Sequence, residues 1–376
     1  MTSSRTPVIL LAAGGTGGHL FPAEALAGEL TARGVVIHLA TDHRGMTYGG
    51  AFPAVARHEI QAATPSGKSP LSLLKAIFVL LRGTLQSYLL IKKIKPDAVI
   101  GFGGYPSVPP VIGAVLAGVP TFIHEQNGVV GRANRFVAPF VHAIATGFEK
   151  PKGLSQKNAA KAHHVGNPIR PLAREAMAIP YPALQSQSEI HLLVTGGSQG
   201  ARVMSTVVPE AIALLSDDIK SRLRITHQAR GDDLETAKAL YDRAGVSVDI
   251  RSFFDDLPMR IAQAQLVIGR AGASTIAELA VIGRPSILVP LPGSLDQDQA
   301  ANAESLARRG AALVIKQSEF IATALAHHLN ELIAHPDRLT DSSRAAKSAG
   351  IADAAERFAA LIGESLGLDF SRGRSS

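Results

Sequence analysis

A chain of 376 residues is too long for one ordinary hydrophobic core and suits two domains. Its 46% hydrophobic and 18% charged content is globular rather than disordered, and the absence of cysteine rules out disulfides and thiolate metal sites, which fits a reducing compartment. A formal net charge of +7 favours anionic partners, but the sequence has no zinc finger, aromatic-rich RNA-binding motif or long basic arm, so nucleic acid is not expected among them.

The opening residues run straight into Val8-Ile9-Leu10-Leu11-Ala12-Ala13, and a glycine loop follows. A signal peptide needs a longer apolar stretch and a small-residue cleavage site, so this run reads as a buried parallel strand. Further strands are expected at 35–40, 98–101, 121–124 and 143–146. The second half adds 191–195, 223–226, 247–251, 266–269, 286–289 and 312–315. Helical patterns lie between them, at 22–32, 202–215, 234–244 and 275–282 among others, and such alternation marks parallel sheets with crossover helices. The most lipid-like segment, Leu71 to Ile94, is broken by Lys75, Arg82 and Gln86 and is not expected to span a bilayer. Asn167-Pro168-Ile169-Arg170-Pro171, followed by Pro180, Pro182 and the polar stretch from Gln185 to Ser188, reads as a linker. The residues from Ser371 onward read as a tail.

The two halves begin alike. One apolar run enters Gly14-Gly15-Thr16-Gly17-Gly18, and the run Ile190 to Thr195 enters Gly196-Gly197-Ser198-Gln199-Gly200. The simplest architecture is α/β, two Rossmann-like domains facing across a cleft, over 1–166 and 167–350, with a last helix at 351–370 packing back on the first. In such sheets ligands sit at the carboxyl ends of the strands, where both loops lie.

A glycine cluster between strand and helix lets backbone N–H groups approach a phosphate where the helix field favours negative charge. Its ordinary alternative is a tight turn. The dinucleotide fingerprint fails because Leu20 stands where the third glycine belongs, although Asp42 sits where a ribose-binding acid would lie. Gly67-Lys68-Ser69 has Ala62 in place of the upstream glycine of a P-loop and reads as a turn. The segment from Gly269 to Glu278 is more informative: a strand ends, small residues turn, and a helix starts with hydroxyls at its N-terminus. Glu278 there can accept both hydroxyls of a ribose or simply offset the helix dipole. Asp296, Gln297, Asp298, Gln299 and Asn302 suit a sugar or a solvated cap. In the first half, His124-Glu125-Gln126-Asn127 and Gly101 to Ser107 end strands on the side where His19 stands. His19 can serve as a general base or as a hydrogen-bond donor at a helix start.

Taken in order, Gly14 to Pro22, Gly103-Gly104-Tyr105, His124-Glu125-Gln126-Asn127, Gly166-Asn167-Pro168-Ile169-Arg170 and Gly196 to Ala201 closely resemble the MurG family of bacterial peptidoglycan N-acetylglucosaminyltransferases. The resemblance runs from about residue 8 to about 366. It implies a family 28 glycosyltransferase of the GT-B fold that moves GlcNAc, with inversion, from UDP-GlcNAc to the C4 hydroxyl of MurNAc in lipid I. The products are lipid II and UDP; a UDP-GlcNAc epimerase of the same fold is the alternative. No cofactor or protein-held metal is implied, so backbone N–H groups and cations must stabilise the departing UDP.

Carried over by position, the resemblance gives Ser198, Arg170, Ala271, Gly272, Ala273, Ser274, Thr275 and Ile276 the diphosphate and uracil region. Phe254 places its backbone near the uracil, Glu278 takes the ribose and Gln299 the GlcNAc hydroxyls. Thr16, Gly17, Gly18 and Asn127 complete the donor site, Tyr105 faces the acceptor, and His19, then Glu125, is the candidate base. The segment Thr41 to Met46 and Asp298 depart from the family pattern. A lipid-linked acceptor implies a peripheral enzyme on the cytoplasmic face of the cell membrane, meeting an anionic surface and other cell-wall enzymes. The helical stripe Leu74, Ile77, Phe78, Leu81 and Leu85, with Lys75, Arg82, Lys92, Lys93 and Lys95 near it, reads as an interfacial helix with Ile77, Phe78 and Leu81 in contact with lipid. The alternative is that this stripe packs on the sheet as a crossover helix does.

Overall fold

A computed structural model of the chain describes residues 5–15, 17–47, 52–63, 69–185, 187–197, 200–294, 297–368 and 370. Contacts divide the chain into two units, Met1–Arg170 with Asp353–Ser376, and Pro171–Ala352.

The first unit is built on a parallel sheet. Its strands are β1 (Val8–Ala12), β2 (Val36–Thr41), β3 (Ala56–Glu59), β4 (Ala98–Gly101), β5 (Thr121–Glu125), β6 (Ala143–Thr146) and β7 (Ala162–His164), in the order β3-β2-β1-β4-β5-β6-β7. β1 shows why this sheet is two-sided. Ile9, Leu11 and Ala13 enter a core with Leu20, Leu26 and Leu30 of the helix Gly17–Ala32, while Leu10 and Ala12 enter a second core with Ile91 of the helix Pro70–Ile94. A strand buried on both faces has no polar alternation, hence its continuous apolar run. The helix Ala354–Leu366 returns from the far end of the sequence and adds Phe358, Ala359 and Ile362 to the first of these cores.

The second unit repeats the plan. Strands β8 (Ile190–Thr195), β9 (Leu223–Gln228), β10 (Val248–Arg251), β11 (Leu266–Gly269), β12 (Ser286–Leu288) and β13 (Ala312–Val314) lie parallel in the order β10-β9-β8-β11-β12-β13. Leu192, Val194, Ile268 and Ile287 share a core with the helices Arg202–Ala213, Asp232–Ala244 and Ala322–Ala334. Arg284, 1% exposed, donates to the carbonyls of Ala262, Ile282, Gly283, Ile179 and Pro180, tying the segment after Arg170 to this unit. Burial pushes its guanidinium down to about 10, and the carbonyls around it supply the hydrogen bonds that water would otherwise make.

The helix Pro70–Ile94 has the length and apolar composition of a membrane span, yet it is the crossover from β3 to β4. Its buried residues are Ala76, Gly83, Ser87 and Ile91, mostly small. A Cβ on Gly83 would strike the carbonyl oxygen of Gln61 and stand 3.3 Å from Pro109, so glycine is what lets the helix lie this close. Of the two readings of the Leu74–Leu85 stripe, the alternative that it packs on the sheet is overturned. Leu74, Ile77, Phe78, Leu81 and Leu85 are all exposed, Phe78 at 66%. The seam needs small residues for close approach, and that rotates the large ones outward.

Candidate active site

In the first unit the chain runs from β1 outward to β2 and β3, then returns to β4 on the other side of β1. Loops from β1 and β4 therefore diverge at a topological switch point, where open α/β sheets bind ligands. The last paired residues of these strands are Ala12 and Gly101. From Ala12 the chain passes Gly14 and Gly15 into the helix Gly17–Ala32, so Gly17, Gly18 and His19 form its first turn. Thr16 lies outside the described residues.

His19 is held between the two loops. Gly103 and Gly104 both have positive φ, and a Cβ on either would stand 3.2–3.5 Å from the His19 ring. The positive φ of both positions favours glycine, and at Gly104 a Cβ would also press on the ring at 3.2 Å. Tyr105 follows at once, half-buried against Val108 and its neighbours. On the other flank, the Asp42 carboxylate accepts from the N–H groups of Gly15 (3.0 Å) and Gly45 (3.1 Å) and pairs with Arg44. That spends the acid which sequence position had suggested for a ribose; it props the glycine loop instead. Arg44 was not foreseen, yet its guanidinium lies 3.3 Å from where a Gly15 Cβ would stand.

Glu125 ends β5 and is 2% exposed. Oε1 accepts from the backbone and side chain of Asn127, and Oε2 accepts from Gly131 N–H and Asn134 Nδ2, at 2.9–3.3 Å. Burial raises its pKa, and these bonds work against that shift. A carboxylate so engaged organises the 125–134 loop that carries Asn127. Asn134, which no motif had marked, also donates to the His124 carbonyl. His124 is buried and donates from Nε2 to the Gly166 carbonyl. Burial pushes it down to about 4, so it is neutral at physiological pH. Asn167 donates to the Gln126 carbonyl, and Gln126 to that of Phe102, so the 166–168 segment, β5 and β4 are laced together. Arg170 lies with its guanidinium carbon 4.4 Å from the centre of the Phe21 ring.

The second unit has its own switch point between β8 and β11, whose last paired residues are Thr195 and Gly269. The loop from β8 leads through Gly196 and Gly197 to the helix Arg202–Ala213, with Gly197 N–H donating to Thr195 Oγ1; Ser198 lies outside the described residues. The loop from β11 leads through Ala271 and Gly272 to the helix Ala273–Ile282. Two helix N-termini thus rise from adjacent strands, about 4.8 Å apart in the sheet. Ile276 N–H is taken by the Gly272 carbonyl, while Ala273, Ser274 and Thr275 occupy the turn whose N–H groups a helix leaves open. Glu278, buried, lies on the same helix. Phe254 is buried with Arg260 and Arg251 over its ring, so its backbone rather than its side chain is on offer.

Gln299 opens the helix Asp298–Ala307, and its Oε1 accepts from Leu291 N–H; Asp296 lies outside the described residues, as do Gly67 and Lys68. Asn302 donates to the Ala271 carbonyl and Arg270 to those of Val289 and Pro290, which fixes this loop against the β11 end. Of the expected residues, Gly17, Gly18, His19 and Tyr105 follow the strands of the first switch point and Ala271 to Ile276 and Glu278 follow a strand of the second, whereas Asn127 follows β5, Phe254 the edge strand β10 and Gln299 β12. Ile77, Phe78 and Leu81 stand apart on the Pro70 helix. Among the described residues no three His, Asp or Glu side chains group as a metal site.

The family model described as the glycosyltransferase family 28 N-terminal domain matches residues 9–146, and that of the family 28 C-terminal domain matches 191–358. A protein of Methylobacterium sp. (strain 4-46), named as a UDP-N-acetylglucosamine–N-acetylmuramyl-(pentapeptide) pyrophosphoryl-undecaprenol N-acetylglucosamine transferase, is 53% identical over 95% of this chain and 96% of its own length. A protein of the same name from Bradyrhizobium sp. (strain BTAi1) is 50% identical over 98% of this chain and all of its own. The crystal structure of Acinetobacter baumannii MurG superposes with a TM-score of 0.75 at 28% identity, covering 95% of this chain and 99% of that one.

Proposed function

Because this chain belongs to glycosyltransferase family 28, we propose that it transfers GlcNAc from UDP-GlcNAc to the C4 hydroxyl of MurNAc in lipid I, giving lipid II and UDP with inversion at the anomeric carbon. The observation that carries this reading is near full-length identity above half with a transferase whose name states both substrates.

The second unit holds the donor. Open N–H groups at the starts of the Ala273 and Arg202 helices receive the diphosphate, Phe254 offers its backbone to the uracil, Glu278 accepts the ribose hydroxyls, and Gln299 meets the sugar. The first unit holds the acceptor, with Tyr105 beside it and Gly17, Gly18 and Asn127 completing the donor side; Thr16, Ser198 and Arg170 belong to the same proposal. His19 takes the proton of the C4 hydroxyl as that oxygen attacks C1. The electron pair of the breaking C1–O bond leaves with UDP, whose growing charge the N–H groups stabilise. Glu125 positions Asn127 rather than exchanging protons, since both its oxygens already accept two N–H donors.

A lipid-linked acceptor puts the enzyme on the cytoplasmic face of the cell membrane. The exposed Ile77, Phe78 and Leu81, with Lys75 and Arg82 on the same helix, meet an anionic surface there. Its product would supply enzymes that build the wall, and through them cell shape and division. Label from UDP-GlcNAc appearing in a lipid I analogue supports the transferase. Label appearing solely as ManNAc or free sugar would replace it with an epimerase or a hydrolase.

A further inference from the structure

Beside the seam of small residues that joins the Pro70–Ile94 and Val108–Ala117 helices, larger side chains stand apart and leave a pocket of about 440 Å³. Ile77, Leu80, Leu81 and Thr84 form one wall and Val108, Ile112, Val115 and Leu116 the other, with Phe136 and Phe140 closing the end. That volume falls within the roughly 300–1,000 Å³ of small-molecule sites. Thr84 is the one polar side chain in the lining, and its hydroxyl donates to the Leu80 carbonyl, so the lining offers a ligand no free side-chain donor. Apolar cavities of this kind take up hydrocarbon rather than water. The rim is exposed: Leu81 at 64%, Leu116 at 66% and Phe136 at 60%.

We infer that this pocket takes the first isoprene units of the acceptor's own polyprenyl chain, which rests on the transferase reading above. Position favours that occupant. Val108, at the inner end, lies one helical turn beyond Tyr105 and the Gly103–Gly104 pair that seats His19, about 5 Å along the chain axis. From Val108 the wall runs to Leu116, roughly 12 Å of helix. An amphiphile whose diphosphate and sugar lie at the glycine loops would have its chain start where the groove starts. Charge agrees: the segments 69–95, 105–117 and 132–140, which supply the whole lining, contain no carboxylate to repel a ligand with a diphosphate at its head. A membrane phospholipid would have no reason to place its head at the Tyr105 end.

The test uses the full chain in buffer without vesicles or detergent. Muramoyl-peptide diphosphates carrying either a methyl group or two isoprene units serve as acceptors. The prenylated acceptor is expected to have a KM at least roughly tenfold lower. In Thr84→Phe and Val115→Phe, which fill the groove from opposite walls, the ratio of the two KM values is expected to fall toward one. Equal KM values for the two acceptors in the wild type, or a ratio intact in both variants, overturn the inference. So does a ratio that stays intact while vesicle binding is lost, which would give the pocket to phospholipid, or a dimer that either variant dissociates. Displacement of a bound apolar dye by geranyl diphosphate, but not by inorganic diphosphate, reads the pocket without turnover. Displacement without any transfer would sink the transferase reading and leave the pocket standing.

Discussion

A histidine becomes a useful base when its ring is held where a hydroxyl arrives, and the His19 ring lies against the turn made by Gly103 and Gly104. His19→Ala is expected to lower kcat by at least about a hundredfold; a change confined to KM would recast the ring as a binding group. In the proposed site Glu278 serves donor binding instead. A ribose contact would be the same in ground and transition states, so Glu278→Ala is expected to raise the KM for UDP-GlcNAc with kcat little changed. An unaltered donor KM would remove this carboxylate from the site. The loops that carry these residues were legible because glycine clusters at strand ends are local signals. The supports were not. Asp42 looked like a ribose acid and is a prop for Gly15, while Asn134 sits in the unremarked hexamer Arg132–Val137 and reaches Glu125 only through folding. A residue whose work is to hold another residue has no spacing of its own to betray it.

At the scale of elements, the buried strands were easy to read because both faces need apolar residues. The two that escaped, β3 (Ala-Arg-His-Glu) and β7 (Ala-His-His), are the edges of the first sheet, where half-exposed positions tolerate polar side chains and erase the pattern. The Pro70–Ile94 helix shows the opposite failure, an abundance of signal. Its apolar content was evident, but which face packs was decided by Gly83 and Ser87 meeting Pro109 and Gly113, contacts that no periodicity encodes. Two consequences follow from that arrangement. Gly83→Val is expected to cost about 1–3 kcal/mol, since the helix must lift off Gln61 to admit the side chain; chemical denaturation measures it. Phe78→Asp, on the outward face, is expected to abolish co-sedimentation with anionic vesicles while activity on a soluble acceptor persists. Vesicle binding that survives the charge would show that the membrane contact lies elsewhere.

Across the whole molecule, the chain crosses twice between its units, and the second crossing brings Phe358 back to complete the first core. There the ring lies 5.4 Å from that of His124 and 6.1 Å from that of Phe102. The second unit buries a histidine too: His227 shares a hydrogen bond with the Tyr241 hydroxyl inside its core. Burial pushes both imidazoles from 6.5 down to about 4. Each is neutral when folded and gains a proton on unfolding below pH 6.5, so the unfolded chain binds more protons and stability rises with pH. The contribution is fully present above 6.5, shrinks as pH falls, and is spent near 4, on the order of 3 kcal/mol for each ring. Denaturant midpoints are therefore expected to drop between about pH 7.5 and pH 5, in each unit separately if the two unfold apart. In His227→Phe the second unit's transition should lose most of its pH dependence while the first unit's keeps its own. A slope that the substitution leaves unchanged would mean that His227 is already charged in the folded core, and that something other than burial sets its proton.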